Sequence, residues 1–393
     1  MRFKRLEDAD VLGKRVLLRE DLNAPMKSGA IADETRITAV LPTLRWLREH
    51  GARTVILSHL GRPDGKPDPK LSLRPIAARL AELLGTPVGF VDDCVGDAAV
   101  AASKALADGA FVMFENVRFH PEEEANDPGF ARELARSGDL YVNDAFGTAH
   151  RAHASTAGVA AFLPSYAGLL MEAELAALTR LTEHPVHPYV CAIGGAKVVD
   201  KVGVFENLIA KVDAFAIGGG MANTFLAAQG IDVGKSLRDP DLLPAQRIIA
   251  LALSRGVTLH LPTDAVVADA FDADDTARVV PLDRVGDGMI LDIGPQTAQE
   301  YARVLRAAKT IVFNGPMGVY EKPPYQNGTR VIGEAIADAT EHGAVSVVGG
   351  GDAAAAAHAL GFADAMTHVS TGGGATLEFL EGKTLPGIAA LER

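Results

Sequence analysis

One pattern recurs along the chain and limits the folds that it can adopt: a short apolar run, a polar or glycine-rich segment, then an amphipathic helix. The apolar runs lie at residues 16–18, 54–57, 111–114, 140–142, 190–193, 214–217, 310–313, 345–348 and 367–369. Strands that alternate with helices predict parallel β-sheets covered on both faces, and therefore an α/β fold. Ligands bind such sheets beyond the carboxyl ends of the strands, so the polar and glycine-rich segments are the candidate functional sites.

The length of the chain predicts two domains, because 393 residues exceed what one hydrophobic core usually organises. Residues 168–183 have high helix propensity, and two prolines follow before a new strand–helix series begins at Tyr189. We therefore expect a first domain in residues 1–167, a connecting helix in residues 168–184 and a second domain in residues 185–377. The connecting helix is a candidate hinge, and a plain core helix is the alternative.

Composition and charge exclude several classes of protein. A net charge of −12 disfavours nucleic acid or an acidic membrane as a partner, so any anionic ligand must be held by a local cluster of cations. No apolar run is long enough to span a bilayer, and the N-terminus lacks the apolar region of a signal peptide. The two cysteines lie in apolar surroundings, which indicates no disulfide framework and favours a reducing, cytoplasmic setting.

In the first half of the chain, the segments that follow the apolar runs carry side chains that are or can become cationic. They are Arg36, His59, Arg62, Arg118 and Arg151. Each one taken singly is more commonly a surface arginine or a loop histidine. Arginine binds phosphate and carboxylate through paired hydrogen bonds, so their joint placement predicts a site for a small phosphorylated acid. His150 and His153 have no third ligand at a suitable spacing, and we do not expect a histidine metal site.

In the second half, glycines take the place of the arginines. Gly349, Gly350 and Gly351 separate the apolar run 345–348 from an alanine-rich helix, and Asp352 lies at the helix start. A glycine turn at a helix N-terminus offers free N–H groups to an anion, and a carboxylate there can hold the Mg²⁺ of a nucleotide. Taken alone, Asp352 would more commonly be a helix N-cap.

Two lysines and two absent motifs refine this interpretation. Lys197 and Lys201 are four residues apart, which predicts two ammonium groups on one side of a helix start that follow a phosphate chain; an ordinary exposed pair is the alternative. Residues 230–236 resemble a P-loop but are one residue short between the glycines. The chain has no G-x-G-x-x-G after its first strand and no G-x-S-x-G, which disfavours a dinucleotide-binding fold and an α/β serine hydrolase.

The sequence closely resembles the phosphoglycerate kinases, nearly from end to end. The matching segments are residues 21–23 (DLN), 33–37 (DETRI), 58–63 (SHLGRP), 115–119 (ENVRF), 142–155 (VNDAFGTAHRAHAS), 194–201, 314–321 (NGPMGVYE), 349–352 and 368–375. The resemblance implies two doubly wound, Rossmann-like parallel-sheet domains joined by a long helix and hinge. It also implies that residues 378–393 return to the first domain.

The resemblance assigns roles to individual residues. The family's phosphoglycerate-binding positions are matched by Asp21, Asn23, Arg36, His59, Leu60, Gly61, Arg62, Arg118 and Arg151. Its nucleotide-binding positions are matched by Gly195, Lys197, Lys201, Gly219, Gly220, Asn314, Pro316, Val319, Glu321, Gly349, Gly350, Gly351, Asp352 and Ala353. Within that set the resemblance places Glu321 on the ribose and Asp352 on Mg²⁺. The residues expected to take part in catalysis are Arg36, Lys197, Lys201, Gly351 and Gly374.

The implied reaction is reversible phosphoryl transfer between 1,3-bisphosphoglycerate and ADP, which gives 3-phosphoglycerate and ATP in glycolysis, by a monomeric enzyme. The oxygen that accepts the phosphoryl group is a carboxylate, with a pKa of about 3.3–3.7 for a comparable acid, so no general base is needed. In-line positioning and charge neutralisation are sufficient, and closure about the hinge is expected to exclude water. The alternatives are another transferase on similar sheets and a catalytically inactive nucleotide-binding relative, and the retained charged residues disfavour the second.

Two residues depart from the family pattern. Glu20 stands where the family usually has an apolar residue, which changes the surroundings of Asp21. Ala353 replaces a threonine or serine common beside the metal-binding acid, which removes one hydroxyl contact.

Overall fold

The computed structural model describes residues 3–27 and 29–392, which form two compact units. The first unit contains the chain up to Leu175 together with the segment from Thr384 onward, and the second contains Ala176–Lys383. Residues 1, 2, 28 and 393 of the predicted first domain lie outside the described residues.

The first unit alternates strands and helices. Its strands are β1 (Arg15–Arg19), β2 (Met26–Lys27), β3 (Ala30–Ile31), β4 (Arg53–Leu57), β5 (Val88–Val91), β6 (Phe111–Phe114), β7 (Leu140–Asn143) and β8 (Ser165–Ala167). Its helices are α1 (Thr35–Ala39), α2 (Leu41–Glu49), α3 (Arg74–Leu84), α4 (Gly96–Ala105), α5 (Pro121–Glu124), α6 (Pro128–Ala135) and the start of α7 (Leu169–Thr182). Single 3₁₀ turns lie at Leu6–Asp8, Pro69–Leu71, Val117–Phe119, Phe146–Thr148 and Val159–Ala161, and Ala154–Gly158 is a π-helix.

The main sheet of the first unit has six parallel strands in the order β5-β6-β4-β1-β7-β8. At its centre, Val16 of β1 lies opposite Thr54 of β4 on one side and Leu140 of β7 on the other. Strands β6 and β7 are buried along their whole length, as expected where helices cover both faces. Because parallel strands end at the same edge, the segments that follow β1, β4, β6 and β7 lie along one edge of this sheet.

The second unit repeats the scheme. Its strands are β9 (Tyr189–Ile193), β10 (Ala214–Ile217), β11 (Thr258–His260), β12 (Asp264–Ala268), β13 (Arg278–Pro281), β14 (Met289–Ile293), β15 (Thr310–Asn314), β16 (Val345–Val348) and β17 (His368–Val369). Its helices are the end of α7, α8 (Val202–Leu208), α9 (Gly219–Ala228), α10 (Leu243–Arg255), α11 (Pro295–Ala307), α12 (Asn327–Glu341), α13 (Gly351–Ala359) and α14 (Gly374–Leu380). Single 3₁₀ turns lie at Val199–Lys201, Asp274–Thr276, Leu282–Arg284, Pro323–Tyr325 and Ala363–Ala365.

The second unit contains a parallel sheet in the order β11-β10-β9-β15-β16-β17 and a smaller antiparallel sheet in the order β13-β12-β14. The apolar runs of the sequence predict five of the six strands of the parallel sheet, all except β11, but they do not predict the antiparallel sheet. As in the first unit, the segments that follow β9, β10, β15 and β16 lie along one edge of the parallel sheet.

Each unit has its own hydrophobic core. In the first, fully buried side chains such as Leu18 and Ile56 pack with those of α2 and α3. In the second, Ile311 and Phe313 pack with α11, α12 and α13. Complete burial of one such aliphatic or aromatic side chain contributes about 1.5–3 kcal/mol to stability, so each core can support its own sheet.

Helix α7 carries the chain from the first unit into the second. The division falls between Leu175 and Ala176, inside the helix. Met171, Leu175 and Leu178 are all buried, as their helical spacing predicts. Helix α7 coincides with the segment in which the connecting helix is predicted, whereas the contacts assign one half of it to each unit.

The C-terminal segment returns to the first unit in α15 (Pro386–Ala389), where the Gly387 N–H donates to the Ala149 carbonyl at 2.8 Å. The contacts place the return at Thr384, six residues later than the predicted return at residue 378. Residues 378–383 stay with the second unit because α14 packs on α8, where Asn207 Nδ2 donates to the Leu380 carbonyl at 2.8 Å.

None of the described helices combines the length and the hydropathy that a membrane span requires.

Candidate active site

In the first unit, the segment after β1 holds Asp21 against Arg36. Asp21 is buried, and its two carboxylate oxygens accept hydrogen bonds from Arg36 Nη1 at 3.1 and 3.0 Å. Arg36 reaches this point from α1 and keeps 32% of its side chain exposed. A guanidinium carries five N–H donors, so Arg36 can bind Asp21 and still donate to an anion on its exposed side.

His59, directly after β4, is a buried neutral imidazole. Its Nδ1 lies 3.1 Å from Arg19 Nη2 and 4.0 Å from Asp21 Oδ1. Because arginine only donates, Nδ1 is an acceptor and the ring carries its proton on Nε2. Burial, and then the charges of Arg19 and Arg118, hold the pKa of His59 well below its usual range. His59 therefore offers a hydrogen-bond donor at neutral pH and not a positive charge.

The loop after β4 is fixed by side chains from the segments after β1 and β6. Asn23 Oδ1 accepts from the Gly61 N–H at 2.9 Å, and Arg118 Nη1 donates to the Gly61 carbonyl at 2.9 Å. Gly61 has φ +65, a conformation that favours glycine. The Leu60 side chain belongs to the core, and its carbonyl accepts from Asn116 Nδ2 at 2.8 Å. Leu60 and Gly61 thus shape this loop.

The buried arginines of the first unit repel one another. Burial, and then the charge of Arg19, lowers the pKa of Arg118 to about 10, and the charge of Arg151 acts in the same direction. Burial and the charge of Arg118 likewise lower the pKa of His153 to about 3. The local potential is therefore positive, and a bound phosphate or carboxylate would relieve it.

The remaining predicted residues of this unit are more accessible. Arg151 lies after β7 and is half-buried, with Nε 3.2 Å from His150 Nε2. Arg62 is exposed in the loop after β4. The structure therefore brings Asp21, Arg36 and His59 into one group. Gly61 links the segment after β1 to Arg118, whereas Arg62 extends into solvent.

Sequence reasoning missed a buried support beneath these residues. Arg19 is fully buried; it donates from Nε to Ser155 Oγ at 2.8 Å and from Nη1 to the Glu20 carbonyl. Glu123, also fully buried, accepts from the Ser155 hydroxyl and N–H at 2.6 and 2.8 Å. The signal for Arg19 was its position directly after the apolar run 16–18. Glu123 gave no signal, because it lies in a run of acids that is typical of a solvated helix face.

In the second unit, a cavity of about 580 Å³ lies at the carboxyl edge of the parallel sheet. The predicted nucleotide residues that line it are Gly195, Gly219, Gly220, Pro316, Val319, Glu321 and Asp352. Gly219 has φ +64, and a side chain there would lie 2.7 Å from the Gly195 carbonyl oxygen. The size falls within the range of roughly 300–1,000 Å³ typical of small-molecule sites.

The apolar wall of the cavity comes from elements that the sequence analysis did not single out. They include Leu226, Leu237, Met289, Leu291, Met317 and Phe271. Asp292 of β14 also lines the cavity; it is buried, and burial raises its pKa to about 8 although it accepts N–H bonds from Gly328 at 2.7 Å and Ile293 at 2.9 Å. The small antiparallel sheet thus builds one side of this cavity.

Lys201 joins the ends of two strands. Its Nζ donates to the carbonyls of Gly194, after β9, and Asn314, at the end of β15, at 2.7 and 2.6 Å. Burial lowers the pKa of Lys201 to about 8. Asn314 Nδ2 in turn donates to the Gly349 carbonyl at 2.7 Å, and its buried Oδ1 has no hydrogen-bond partner among the described residues. These contacts link the ends of β9, β15 and β16.

The prediction that Lys197 and Lys201 lie on one side of a helix start is wrong. Lys197 lies in an exposed bend before the 3₁₀ turn that contains Lys201, and α8 begins only at Val202. The backbone of Lys201 has φ −130 and ψ 11, outside the α-helical region, and this separates the 3₁₀ turn from α8. Asp239 Oδ2 accepts the Val198 N–H at 2.8 Å at the start of the turn. Lys197 therefore extends into solvent while Lys201 is directed onto backbone carbonyls.

The glycine turn after β16 has the predicted form. Gly350 has φ +101, Gly351 is the first residue of α13, and Asp352 is exposed in its first turn. Ala353 is buried in the core, so it can offer a ligand only its backbone. Gly374 is the first residue of α14 and is exposed.

Asp352 is not part of a preformed metal cluster. Within residues 3–27 and 29–392, the only three candidate donors that lie within 4.8 Å of one another are Asp93, Cys94 and His120, in the first unit. In this group Asp93 Oδ1 already accepts the Cys94 N–H at 2.7 Å, and it lies 2.7 Å from His120 Nε2. A metal ion at Asp352 would therefore need further ligands from a bound nucleotide.

A family model described as phosphoglycerate kinase matches residues 6–383. The chain belongs to the phosphoglycerate kinase family. Its similarity to other members runs from end to end: it is 54% identical to the phosphoglycerate kinase of Chloroflexus aurantiacus, over 100% of this chain and 99% of that protein. It is also 54% identical to the phosphoglycerate kinase of Pelotomaculum thermopropionicum, with the same coverage.

Solved phosphoglycerate kinase structures share the fold. The structure of the enzyme from Coxiella burnetii superposes with a TM-score of 0.91 at 44% identity, over 99% of both chains. That from Pyrococcus horikoshii superposes with a TM-score of 0.83 at 36% identity, over 99% of this chain and 98% of the other. These comparisons confirm the predicted two-domain α/β fold and the predicted activity, that of a phosphoglycerate kinase, a glycolytic phosphotransferase that uses ATP and ADP.

Proposed function

We propose that the first unit binds 3-phosphoglycerate or 1,3-bisphosphoglycerate and that the second binds ADP or ATP with Mg²⁺. The observation that carries this assignment is the different chemistry at the carboxyl edges of the two sheets. The first edge presents buried and half-buried guanidinium groups that repel one another. The second presents glycine backbone around a cavity of about 580 Å³.

The phosphoglycerate site is proposed to consist of Asp21, Asn23, Arg36, His59, Leu60, Gly61, Arg62, Arg118 and Arg151. Arg118 and Arg151 supply charge to a phosphate, and His59 supplies a neutral donor from Nε2. Asp21 orients Arg36 through two hydrogen bonds. Asn23, Leu60 and Gly61 hold the loop that carries Arg62.

The nucleotide site is proposed to consist of Gly195, Lys197, Lys201, Gly219, Gly220, Asn314, Pro316, Val319, Glu321, Gly349, Gly350, Gly351, Asp352 and Ala353. The apolar cavity suits an adenine ring, and exposed Glu321 on its wall suits ribose hydroxyls. The N-terminus of α13 suits phosphates, because its first N–H groups have no partner within the helix. Lys201 would meet those phosphates from the β9 side.

Asp352 is proposed to hold Mg²⁺. Its carboxylate is exposed, lines the cavity and lies in the first turn of α13, and an oxygen donor of this kind suits a hard cation that takes its other ligands from phosphate and water. When bound, the ion would neutralise charge on the nucleotide phosphates.

Catalysis is proposed to rest on charge neutralisation by Arg36, Lys197 and Lys201, with backbone donors at Gly351 and Gly374. Arg36 keeps 32% of its side chain exposed and Lys197 is exposed, so each retains donors for a phosphoryl group. No residue needs to act as a base, because the acceptor carboxylate is already ionised at neutral pH. The expected closure about α7 belongs to the same proposal, and X-ray scattering should give a smaller radius of gyration with both substrates than with neither.

Two further properties complete the proposal. We infer a monomer, since a single chain carries both sets of assigned residues: the phosphoglycerate set in the first unit and the nucleotide set in the second. We infer a cytoplasmic setting, since both cysteines are free and buried and the substrates are those of glycolysis.

A coupled assay with ATP, Mg²⁺ and 3-phosphoglycerate tests the assignment directly. We expect ADP to form only when all three are present, and we expect omission of Mg²⁺ to abolish it. ADP formation at the same rate without 3-phosphoglycerate would refute the assigned acceptor.

A further inference from the structure

Two carboxyl groups of the first unit lie buried against each other. Glu20 follows β1, Asp144 follows β7, and both side chains are fully buried. Both oxygens of Glu20 and Oδ2 of Asp144 lack a hydrogen-bond partner when both groups are counted as carboxylates, yet the two groups lie within hydrogen-bonding reach of each other. Two ionised carboxylates in such contact would be strongly destabilising, so one of them must carry a proton.

The charges that face this pair do not neutralise it. The Arg19 guanidinium is committed to Ser155, to His59 and to the backbone carbonyl of Glu20. Asp21 adds a second negative charge next to Glu20. Arg19, the nearby cation among the described residues, is therefore held by other partners, and a neutral acid is the form that this site accommodates.

Asp144 is the acceptor of the pair because it caps α7. Its Oδ1 accepts the Met171 N–H at 2.9 Å. Thr43 Oγ1 accepts the Leu169 N–H at 3.1 Å. The first N–H groups of a helix have no partner within it, so Asp144 and Thr43 together satisfy the start of α7.

We propose that Glu20 is a neutral carboxylic acid that donates its O–H to Asp144, and that it is a positioning residue for phosphoglycerate binding. The bond ties the segment that carries Asp21 and Asn23 to the capped start of α7. A backbone bond joins the same two segments, since the Asp144 N–H donates to the Arg19 carbonyl at 2.9 Å. The Glu20 carbonyl is also fixed from the segment after β4, where Ser58 Oγ donates to it at 2.8 Å. This inference rests on the proposed roles of Asp21 and Asn23.

The expected titration follows from the surroundings. Burial, and then the charge of Asp144, raises the pKa of Glu20 well above its usual range, and burial raises that of Asp144 to about 6. In the unfolded chain Glu20 ionises near a pKa of about 4.3. Above that pH the unfolded state releases a proton that the folded state retains, so Glu20 lowers stability progressively as the pH rises toward its folded pKa.

Three variants test the proposal. Glu20→Gln keeps a donor of the same shape without the acid, Glu20→Leu keeps the volume without a donor, and Glu49→Gln is the matched control at an exposed position of α2. We expect E20Q to retain the wild-type KM for 3-phosphoglycerate and E20L to raise it at least fivefold, with the KM for the nucleotide unchanged in both. E49Q should match wild type throughout.

Two further readouts isolate the proton. E20Q should have a higher Tm than wild type at pH 7, with the difference shrinking toward pH 4. The infrared carbonyl band of a neutral carboxylic acid should be weaker in E20Q than in wild type or E49Q at pH 7. Equal KM values for E20Q and E20L, or an unchanged band in E20Q, would overturn the proposal.

These outcomes separate the inference from the proposed site. If E20Q loses the infrared band while E20L binds 3-phosphoglycerate normally, Glu20 is protonated but does not position the site, which overturns the inference and leaves the assigned ligands intact. If Arg118→Ala and wild type bind 3-phosphoglycerate equally, it is the site assignment that fails, together with the positioning role that rests on it.

Discussion

The carboxyl edges of the two main parallel sheets carry different kinds of residue. After the strands of the first unit come charged side chains, such as Arg36 and Arg118, buried to different degrees. After the strands of the second come glycines such as Gly219 and Gly350, whose backbone lines a cavity or a helix start. Both main sheets are six-stranded and parallel, although the order of their strands differs and the second unit adds a three-stranded antiparallel sheet. We therefore expect the residues at the strand ends to decide what each unit can bind.

This difference has a consequence for mutation. A site made of side chains can lose one interaction at a time, with the fold left intact. A site made of backbone is altered when a glycine gains a side chain, because the chain itself must move. Substitutions at arginines and at glycines should therefore affect different substrates, and the predictions below use that contrast.

The largest effect is expected from Arg36→Ala. If Arg36 neutralises the phosphoryl group in transfer, its loss should lower kcat on the order of 10³-fold or more, as for arginines in other phosphoryl transfers. ADP affinity should stay within about twofold, because Arg36 belongs to the first unit. Steady-state kinetics and calorimetric titration of ADP measure the two quantities. Arg45→Ala, at an exposed arginine of α2, is the control, and near-normal turnover in R36A would remove Arg36 from the catalytic role.

A smaller effect, with a pH signature, is expected from Lys201→Met. Loss of a charged hydrogen bond costs about 1.5–3 kcal/mol, or roughly 10- to 150-fold in ADP affinity. The pKa of Lys201 is about 8, so the wild-type ammonium loses its proton as the pH rises through that value, and ADP should bind more weakly above it. K201M should lack this dependence.

Lys211→Met is the control for that experiment, since Lys211 is a partly buried lysine of the same unit that does not line the cavity. Asp292 lines the cavity and also has a pKa of about 8. If K201M keeps the full loss of affinity above pH 8, Asp292 and not Lys201 is responsible.

The smallest effect is expected from Gly350→Ala. At φ +101 a side chain costs of order 1–3 kcal/mol, and its Cβ would lie 3.3 Å from Asn314 Nδ2. ADP affinity should fall about tenfold, and 3-phosphoglycerate affinity should not change. Gly361→Ala is the matched control, because Gly361 follows the same helix, has φ +78 and faces open space. This substitution should lower the Tm without lowering the affinity for ADP. Equal ADP affinity in both variants would argue against a backbone site at Gly350.

The sequence predicted the features that depend on local pattern. Most of the parallel strands follow from short apolar runs, although β5, β8 and β11 lie outside those runs. The helix start at Gly351 follows from glycines before an alanine run. The antiparallel sheet β13-β12-β14 was missed because its strands lack a distinctive period, although they build one wall of the cavity.

The features that escaped prediction depend on contacts between distant residues. Lys197 and Lys201 have helical spacing, but the backbone of Lys201 is not helical and α8 begins only at Val202. The run of acids around Glu123 is typical of an exposed helix face, but the fold places Ser155 against Glu123, where the Ser155 hydroxyl donates to it. Glu20 was recognised as unusual from the family pattern, while its partner, Asp144, is 124 positions away in the sequence.

The central proposal is that the first unit binds phosphoglycerate and the second binds the nucleotide. Amide hydrogen exchange with one substrate at a time tests it most directly. We predict that 3-phosphoglycerate alone slows exchange in residues 19–23, 58–62 and 115–118, and that ADP with Mg²⁺ alone slows it in residues 194–201, 314–321 and 349–353. Protection by ADP of the arginine-bearing segments of the first unit, without protection of residues 349–353, would contradict the account.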